Sequence, residues 1–280
     1  MILVTGFTGK VGFEVAKKLK ASDLPMICGV RNVSKEKDTY GDAYHYVHLD
    51  LSQPMTFSDA LSGIKQIFLI YPPGDKIEFE EFLNCARKKG IRHIVYLSVK
   101  DVQFLPFIHH YKNEKLIRKS GISYTFIRAG YFMQNLNDFL SIEIKDRKRI
   151  FIPAGKGKTS FVDTRDLADV ALTVFKNPDN HVNKKYVITG DNALDFFEVA
   201  EQMSHILHTK IIYTNPSVKE FKEFMLQRGE SNDYINVIVG IHFPTKLGLA
   251  KGITHDYEEI TQKKPTKMKT YIEDYWNRDN

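Results

Sequence analysis

The sequence predicts an α/β protein with a doubly wound parallel sheet and a smaller, mainly helical C-terminal lobe. From residue 1 to about residue 130, short apolar runs alternate with helical patterns. Most of these runs are almost continuously apolar, which is typical of parallel strands that are covered on both faces. After about residue 130 helical patterns predominate. The alternation indicates the sheet, and the change of rhythm indicates the lobe.

Strands and helices are predicted in turn along the first part of the chain. The strand candidates are residues 2–4, 26–30, 44–51, 67–70, 93–97 and 124–127. The helix candidates between them are residues 11–20, 54–62, 76–89 and 107–119. Gly90 and Gly121 follow two of these helices at the position of a C-cap glycine. Because β–α–β crossovers are right-handed, this order implies a doubly wound sheet of the Rossmann type.

The second part of the chain is predicted to form the lobe. Helical patterns cover residues 132–145, 164–175, 196–207 and 218–228, and short strand candidates lie near 150–152, 185–189 and 210–213. A final helix is predicted through Tyr271, Tyr275 and Trp276. We expect a core over residues 1–130 and a substrate lobe over residues 131–280, from which some elements can return to the core. Such sheets bind ligands at the carboxyl ends of their strands, which the lobe is expected to cover.

Composition excludes several classes of protein. Of the 280 residues, 42% are hydrophobic and 26% are charged, which excludes a disordered or fibrous chain. The net charge of +6 suits an anionic ligand, but it is thinly spread and gives no nucleic-acid-binding arm. Cys28 and Cys85 form no CxxC pair and indicate free thiols. Without a signal-peptide pattern or an apolar run near the roughly 18 residues of a membrane helix, we expect a soluble cytoplasmic protein.

A glycine-rich turn joins the first strand to the first helix. It reads Gly6-Phe7-Thr8-Gly9-Lys10-Val11-Gly12. Gly6 permits a tight turn, Gly9 lets the backbone approach a pyrophosphate, and Gly12 lets the helix pack closely on the strand. The helix N-terminus adds unpaired N–H donors. This combination predicts a dinucleotide-binding site, and the alternative is a glycine turn kept only for packing.

The end of the second strand predicts which dinucleotide binds. An acidic residue there would bind the ribose 2′-hydroxyl of NAD, but the chain reads Gly29-Val30-Arg31-Asn32-Val33-Ser34-Lys35. Arg31 can fork onto a 2′-phosphate, and Asn32 and Lys35 supply further donors. We therefore expect NADP as cofactor, with NADPH preferred over NADH. The alternative is a solvated basic turn.

Later strand ends supply further expected cofactor contacts. Asp50 and Leu51 are placed to meet the adenine ring, although a cap before a helix explains Asp50 equally well. Tyr71 and Pro72 are placed along the nicotinamide ribose, although loop geometry alone also explains them. Ser98 is expected to contact the cofactor or to cap its strand rather than to act as a catalytic hydroxyl.

Together these motifs resemble the NmrA-like branch of the atypical short-chain dehydrogenases/reductases. The resemblance also rests on Tyr96-Leu97-Ser98, Phe132-Met133-Gln134-Asn135 and the stretches 120–128 and 161–168. Members of that branch include NADPH-dependent quinone and azo-dye reductases, and NADP-binding regulators that have lost catalysis. The resemblance therefore implies either a reductase or a redox-sensing regulator that has a protein partner.

The resemblance also implies where a catalytic pair would lie. The wider superfamily uses a Tyr-x-x-x-Lys pair, and Tyr111 and Lys115 match that string. At about 100° per residue, both point about 150–170° away from the apolar stripe at 116–117, whereas His110 lies about 70° from it. In the extended reductases the catalytic pair lies on the side of the apolar stripe, and that register puts His110 where the lysine should be and no tyrosine at the other position. The resemblance therefore implies that no catalytic tyrosine is present here, and that His110 lies beside the nicotinamide ribose as hydrogen-bond donor or proton source. The alternative is that His110 only orders the helix with Glu114.

Aromatic and polar residues follow the last predicted strand of the core. Tyr131, Phe132, Met133 and Asn135 are expected to wall the substrate pocket, and the alternative is a place in the core. No histidines or cysteines have metal-ligand spacing, so no metal site is expected.

The leading functional hypothesis is an NADPH-dependent reductase. It would transfer hydride to a small electron-poor acceptor such as a quinone, because the resulting aryloxide is stabilised and needs no strong positioned acid. The alternative is a non-catalytic NADP(H)-binding redox sensor. The expected partner of the reductase is a small-molecule substrate, with no nucleic acid and no membrane.

Overall fold

The computed structural model describes residues 1–74 and 76–276. The strands are β1 (Ile2–Val4), β2 (Met26–Val30), β3 (Tyr46–His48), β4 (Gln66–Leu69), β5 (His93–Val99), β6 (Ser123–Ala129), β7 (Tyr131–Phe132), β8 (Arg149–Ile150), β9 (Thr159–Val162), β10 (Lys184–Ile188), β11 (Ala193–Leu194) and β12 (Ile212–Tyr213). The α-helices are α1 (Lys10–Lys20), α2 (Val33–Tyr40), α3 (Phe57–Ala60), α4 (Phe79–Lys88), α5 (His109–Ser120), α6 (Asn135–Asp138), α7 (Ser141–Arg147), α8 (Thr164–Lys176), α9 (Phe196–Ile206), α10 (Val218–Gln227), α11 (Asn232–Lys246), α12 (Asp256–Thr261) and α13 (Met268–Trp276).

A seven-stranded parallel sheet lies at the centre of the fold. Its strand order is β10-β6-β5-β4-β1-β2-β3. Leu3 of β1 is paired with Ile27 of β2 on one side and with Ile67 of β4 on the other. The chain winds outward from β1 to β3 and then crosses back to β4, so the strand order reverses beside β1. The predicted doubly wound α/β fold is confirmed, and the reversal marks the edge where such sheets bind ligands.

The chain forms two compact units. The first consists of Met1–Ala129, Thr164–Ile188 and Asp256–Lys263, and it contains the seven-stranded sheet. The second contains Gly130–Asp163, Thr189–His255 and the described residues from 264 onward. The chain therefore returns to the first unit twice after residue 130. The strand candidate near 185–189, which we predicted for the lobe, is strand β10 of the central sheet.

The core of the first unit follows directly from its apolar strands. Leu3 of β1 and Ile94 of β5 are fully buried and belong to one apolar cluster with helix side chains, among them Phe57 of α3 and Phe82 of α4. Burial of each such side chain contributes about 1.5–3 kcal/mol to the free energy of unfolding, relative to leaving it exposed. Gly121 ends α5 in the left-handed conformation, which is the predicted C-cap.

The second unit has its own core and only small sheets. Strands β11, β9 and β7 form one sheet, and β12 pairs with β8. Helices α9 and α10 each begin with a capping box, in which Asp195 pairs with Glu198 and Ser217 pairs with Glu220. The predicted helix over 132–145 is wrong, because the chain forms β7, α6 and α7 there instead. Among the described helices, none is long and apolar enough to cross a membrane.

Candidate functional site

The glycine turn lies between β1 and α1 at the carboxyl edge of the sheet. Gly6 has a φ of 64°, and its carbonyl accepts a hydrogen bond from the Gly9 N–H at 2.9 Å. A Cβ atom at Gly12 would lie 2.1 Å from the Gly6 oxygen, so any other residue would push α1 away from the turn. The Phe7 ring is buried, whereas Thr8 and Gly9 are exposed. The turn therefore offers backbone groups and small side chains to solvent.

The N-terminus of α1 and the Gly6–Gly12 turn together form a concave set of backbone donors, which we call the glycine cradle. The helix begins at Lys10, and its N-cap residue Gly9 supplies no side-chain hydrogen bond. Its first turn contains no acidic residue. The N–H groups of that turn thus keep their affinity for an anion, and the helix dipole adds to it. This donor set and the space kept by Gly12 fit the pyrophosphate of a dinucleotide.

Arg31 follows β2 at the same edge. Arg31, Asn32 and Lys35 are all exposed. The Asn32 Oδ1 caps α2 by accepting a hydrogen bond from the Lys35 N–H at 3.0 Å, which leaves the Asn32 amide nitrogen as the group that can donate to a ligand. This basic set fits a phosphate on the adenine ribose, because Arg presents a planar fork of donors.

The Asp50 carboxylate is engaged by its own turn. Its Oδ1 accepts from the Ser52 N–H at 2.9 Å and from the Ser52 hydroxyl at 2.7 Å, and its Oδ2 accepts from Gln53 at 3.2 Å. Partial burial opposes ionisation, but the Ser52 hydrogen bonds and the nearby Arg31 charge together lower the pKa of Asp50. These contacts hold the carboxylate within its own turn, and the N-cap residue of the short helix that follows is Gln53 rather than Asp50. Leu51 is buried in the core, and the adenine contact stays a prediction.

The loop after β4 contacts the start of α5. Thr5 fixes the strand ends, since its hydroxyl donates to the Phe68 carbonyl at 3.1 Å and accepts from the Ile70 N–H at 2.8 Å. The Tyr71 ring stacks on His109 with 5.1 Å between centroids, and partial burial raises the pKa of Tyr71. The next residue, Pro72, is half-buried. The predicted ribose contacts of Tyr71 and Pro72 stay predictions.

His110 lies on the inner face of α5 and contacts the sheet. Its Nδ1 is 2.9 Å from the hydroxyl of Tyr96, and the Asn113 amide donates to the same hydroxyl at 3.0 Å. Burial lowers the pKa of His110 to about 4, so the imidazole is neutral at pH 7. The predicted role of His110 beside the nicotinamide ribose stays a prediction.

The Tyr-x-x-x-Lys string lies on the other face of α5. The Lys115 ammonium sits 4.5 Å from the centre of the Tyr111 ring, and Lys115 is exposed. The buried residues of the helix are instead Asn113, Glu114 and Ile117. That the string is not a catalytic pair stays a prediction.

A buried ion pair beside His110 was missed by sequence reasoning. Arg128 of β6 binds the Glu114 carboxylate through Nε at 2.9 Å and Nη2 at 2.7 Å, and Arg118 adds a third contact at 3.0 Å. The Ser98 hydroxyl donates to the same carboxylate at 2.8 Å. The Ser98 hydroxyl therefore uses its proton in a hydrogen bond to Glu114. A contact between Ser98 and the cofactor stays a prediction. His110 bonds to Tyr96 rather than to Glu114.

Two signals in the sequence could have indicated this polar group. Asn113 and Glu114 follow His110 at the helical spacings i+3 and i+4, which place all three side chains on one face. Ser98 and Arg128 are polar residues in otherwise apolar strands, and they are paired across β5 and β6. The spacing of His110 and Glu114 entered the sequence analysis only as a contact within the helix.

The predicted pocket residues belong to the second unit. The Tyr131 hydroxyl donates to Nε2 of His242 at 2.8 Å, while Nδ1 of His242 donates to the Ile238 carbonyl at 2.7 Å. Burial raises the pKa of Tyr131, which also has a hydrogen bond from Asn135. Phe132 is half-buried, and Met133 lines a small pocket with Phe161, Leu194 and Met268. The expected role of these residues in substrate binding stays a prediction, and sequence reasoning missed His242.

Over the described residues no group of acidic, histidine or cysteine side chains is arranged to hold a metal ion.

Comparison with known proteins identifies the family. The profile of the NmrA-like family matches residues 1–272. The chain belongs to the NmrA-like family. An NAD(P)H azoreductase from Xenophilus azovorans is 30% identical over 237 residues, covering 82% of each chain. Quinone oxidoreductase 2 from Escherichia coli is 27% identical over 274 residues, covering 94% of this chain and 93% of that protein.

A solved structure agrees with the sequence relatives. Triphenylmethane reductase from Citrobacter sp., crystallised with NADP(H), superposes with a TM-score of 0.86 at 25% identity. The match covers 98% of this chain and 99% of that one. The similarity therefore extends over the whole fold and is not limited to the glycine turn.

Proposed function

We propose that this member of the NmrA-like family is an NADPH-dependent reductase that transfers hydride to a small electron-poor acceptor such as a quinone. The observation that carries the proposal is the glycine cradle with Arg31 beside it at the switch point of the sheet. The names of the azoreductase and the quinone oxidoreductase support an NAD(P)H-dependent oxidoreductase. When bound, the cofactor supplies the hydride from its nicotinamide ring.

Different residues of the first unit would bind different parts of the cofactor. The Gly6–Gly12 turn, Lys10 and the first N–H groups of α1 would hold the pyrophosphate. Arg31, Asn32 and Lys35 would hold the 2′-phosphate. The Asp50 carboxylate is already engaged by Ser52 and Gln53. The turn after β2 contains no acidic side chain that would favour the free ribose hydroxyl of NADH.

Near the nicotinamide the chain supplies a weak donor rather than a strong acid. His110 is neutral at pH 7 because burial lowers its pKa to about 4. A neutral imidazole can donate a hydrogen bond and orient a ligand, but it gives up a proton poorly. Acceptors that become stabilised anions fit such a site better than simple ketones. Tyr131, Phe132, Met133 and Asn135 are our proposed acceptor-pocket residues.

The test is NADPH oxidation with a panel of 1,4-benzoquinone, 1,4-naphthoquinone and 9,10-phenanthrenequinone, with an azo dye as a further acceptor. We expect protein-dependent turnover above the uncatalysed rate with at least one quinone. Heat-denatured protein is the control. Tight NADPH binding without turnover of any acceptor would contradict the reductase and favour the redox sensor.

A further inference from the structure

The hydroxyl of Tyr96 joins two side chains of α5 to the sheet. Tyr96 is fully buried in β5. Its hydroxyl lies 2.9 Å from Nδ1 of His110 and accepts a hydrogen bond from Nδ2 of Asn113 at 3.0 Å. These are the two hydrogen-bond contacts of that hydroxyl within the described chain. Only the Asn113 amide nitrogen has a role that is fixed by its chemistry, and the positions of the other protons follow from it.

The amide nitrogen of Asn113 can only donate, so the Tyr96 oxygen accepts from it. The single Tyr96 proton must then find an acceptor, because a buried hydroxyl without one is unfavourable. Nδ1 of His110 is the available acceptor, and it can accept only when it carries no proton. Burial also keeps the ring neutral at pH 7. A neutral imidazole has one N–H, which in this arrangement is on Nε2.

We propose that Tyr96 and Asn113 are positioning residues that fix His110 as the Nε2–H tautomer. The ring nitrogen remote from Tyr96 is then always a hydrogen-bond donor, and never an acceptor. The catalytic consequence rests on the proposed function, in which His110 donates to the cofactor ribose or to the reduced acceptor. The tautomer itself does not depend on that function.

The test is ¹⁵N NMR of histidine-labelled protein at pH 7, because the protonated and unprotonated ring nitrogens differ strongly in chemical shift. His110→Gln assigns the signals by their loss. In the wild type we expect a protonated Nε2 and an unprotonated Nδ1. Asn113→Asp replaces the donor by an acceptor of the same shape, so the Tyr96 proton should turn toward Asp and Nδ1 of His110 should become protonated.

Two further variants separate positioning from general disturbance. Tyr96→Phe keeps the ring but removes the hydroxyl, and it should abolish the single-tautomer signal. Tyr124→Phe removes a hydroxyl from the neighbouring strand β6 and should leave the His110 signals unchanged.

A wild-type ring protonated at Nδ1, or an unchanged tautomer in both Tyr96→Phe and Asn113→Asp, would overturn the proposal. The expected tautomer in a protein that reduces no acceptor would contradict the reductase and leave the positioning role intact. In an active enzyme, Tyr96→Phe should lower kcat more than it changes KM for NADPH.

Discussion

The Glu114 carboxylate is the most densely bonded ionised group in the candidate site. It receives Arg128, Arg118 and Ser98 while it is almost completely buried. Arg128 is also buried, and the Glu114 carboxylate neutralises its positive charge. A pair of this kind contributes little net stability by itself, but the loss of one partner leaves the other charged and buried.

Glu114→Gln is therefore expected to destabilise the protein strongly. The substitution keeps the shape but leaves Arg128 without its counter-charge, at a cost of roughly 3–5 kcal/mol in the free energy of unfolding. Urea denaturation measures the change. Glu80→Gln is the matched control, because Glu80 and Lys119 form an exposed pair 3.9 Å apart that is expected to contribute less than about 1 kcal/mol. Equal losses in the two variants would contradict the buried-pair interpretation.

The contact between α1 and the glycine turn shows how one element is held in place. Gly12 is on the helix, and its Cα faces the carbonyl of Gly6 so closely that no side chain fits. Gly240 lies in the exposed middle of α11, where a Cβ would meet no atom within 4 Å. The same substitution at these two positions should have opposite effects.

Gly12→Ala is expected to lower the free energy of unfolding by about 1–3 kcal/mol, because α1 must move away from the turn. The shift of the helix N-terminus should also weaken NADPH binding. Gly240→Ala should raise stability by about 0.5–1 kcal/mol, since alanine restricts the unfolded chain and favours the helix. Thermal melting with and without NADPH measures both effects. A harmless Gly12→Ala would show that the cradle does not need this close approach.

Elements could be predicted from the sequence where their pattern lies within one short stretch of residues. Strand β1, the glycine turn and α1 form one continuous pattern, so their order and bounds were predicted almost to the residue. Helix α2 was missed because Val33–Tyr40 is mostly polar and buries only Glu36. Helix α11 was missed because it contains Pro244 and is apolar on several faces. Neither helix has a clear periodic apolar stripe that would indicate it in the sequence.

The candidate site was predictable to a similar degree. The glycine cradle and Arg31 could be predicted because the residues of each motif are adjacent in the sequence. The orientation of His110 toward the sheet could be predicted from helix geometry. The partners of His110 and Glu114 come from β5 and β6, which lie beside α5 only after the sheet has formed. No sequence spacing shows that Ser98 and Arg128 meet the same carboxylate. The tautomer proposed for His110 depends on its contact with Tyr96, which lies on a strand of the sheet.

Buried neutral histidines in both units link the stability of the protein to pH. His93 in the first unit and His242 in the second are both buried, and burial lowers the pKa of each to about 4 from an ordinary value of 6.5. Between these values the unfolded chain binds protons that the folded protein does not. The stabilising contribution is therefore complete above pH 6.5 and is lost as the pH falls toward 4.

We expect the free energy of unfolding to fall between pH 7 and pH 5 by roughly 2 kcal/mol for each of these two histidines. Urea denaturation at half-unit pH steps measures the slope. His93→Gln should reduce the slope, whereas the exposed His45 is the control, and His45→Gln should leave it unchanged. A stability that is independent of pH over this interval would contradict the neutral, buried state of both rings.

We expect the fold to bind a dinucleotide that carries a 2′-phosphate, and calorimetric titration with NADPH and NADH measures this preference. The wild type should bind NADPH at least about tenfold more tightly than NADH, since a charge-assisted contact contributes about 1.5–3 kcal/mol. Arg31→Ala should remove most of that difference, and Arg87→Ala on the exposed face of α4 should retain it. Equal affinities for the two cofactors in the wild type, or a preference for NADH, would show that Arg31 does not recognise a 2′-phosphate.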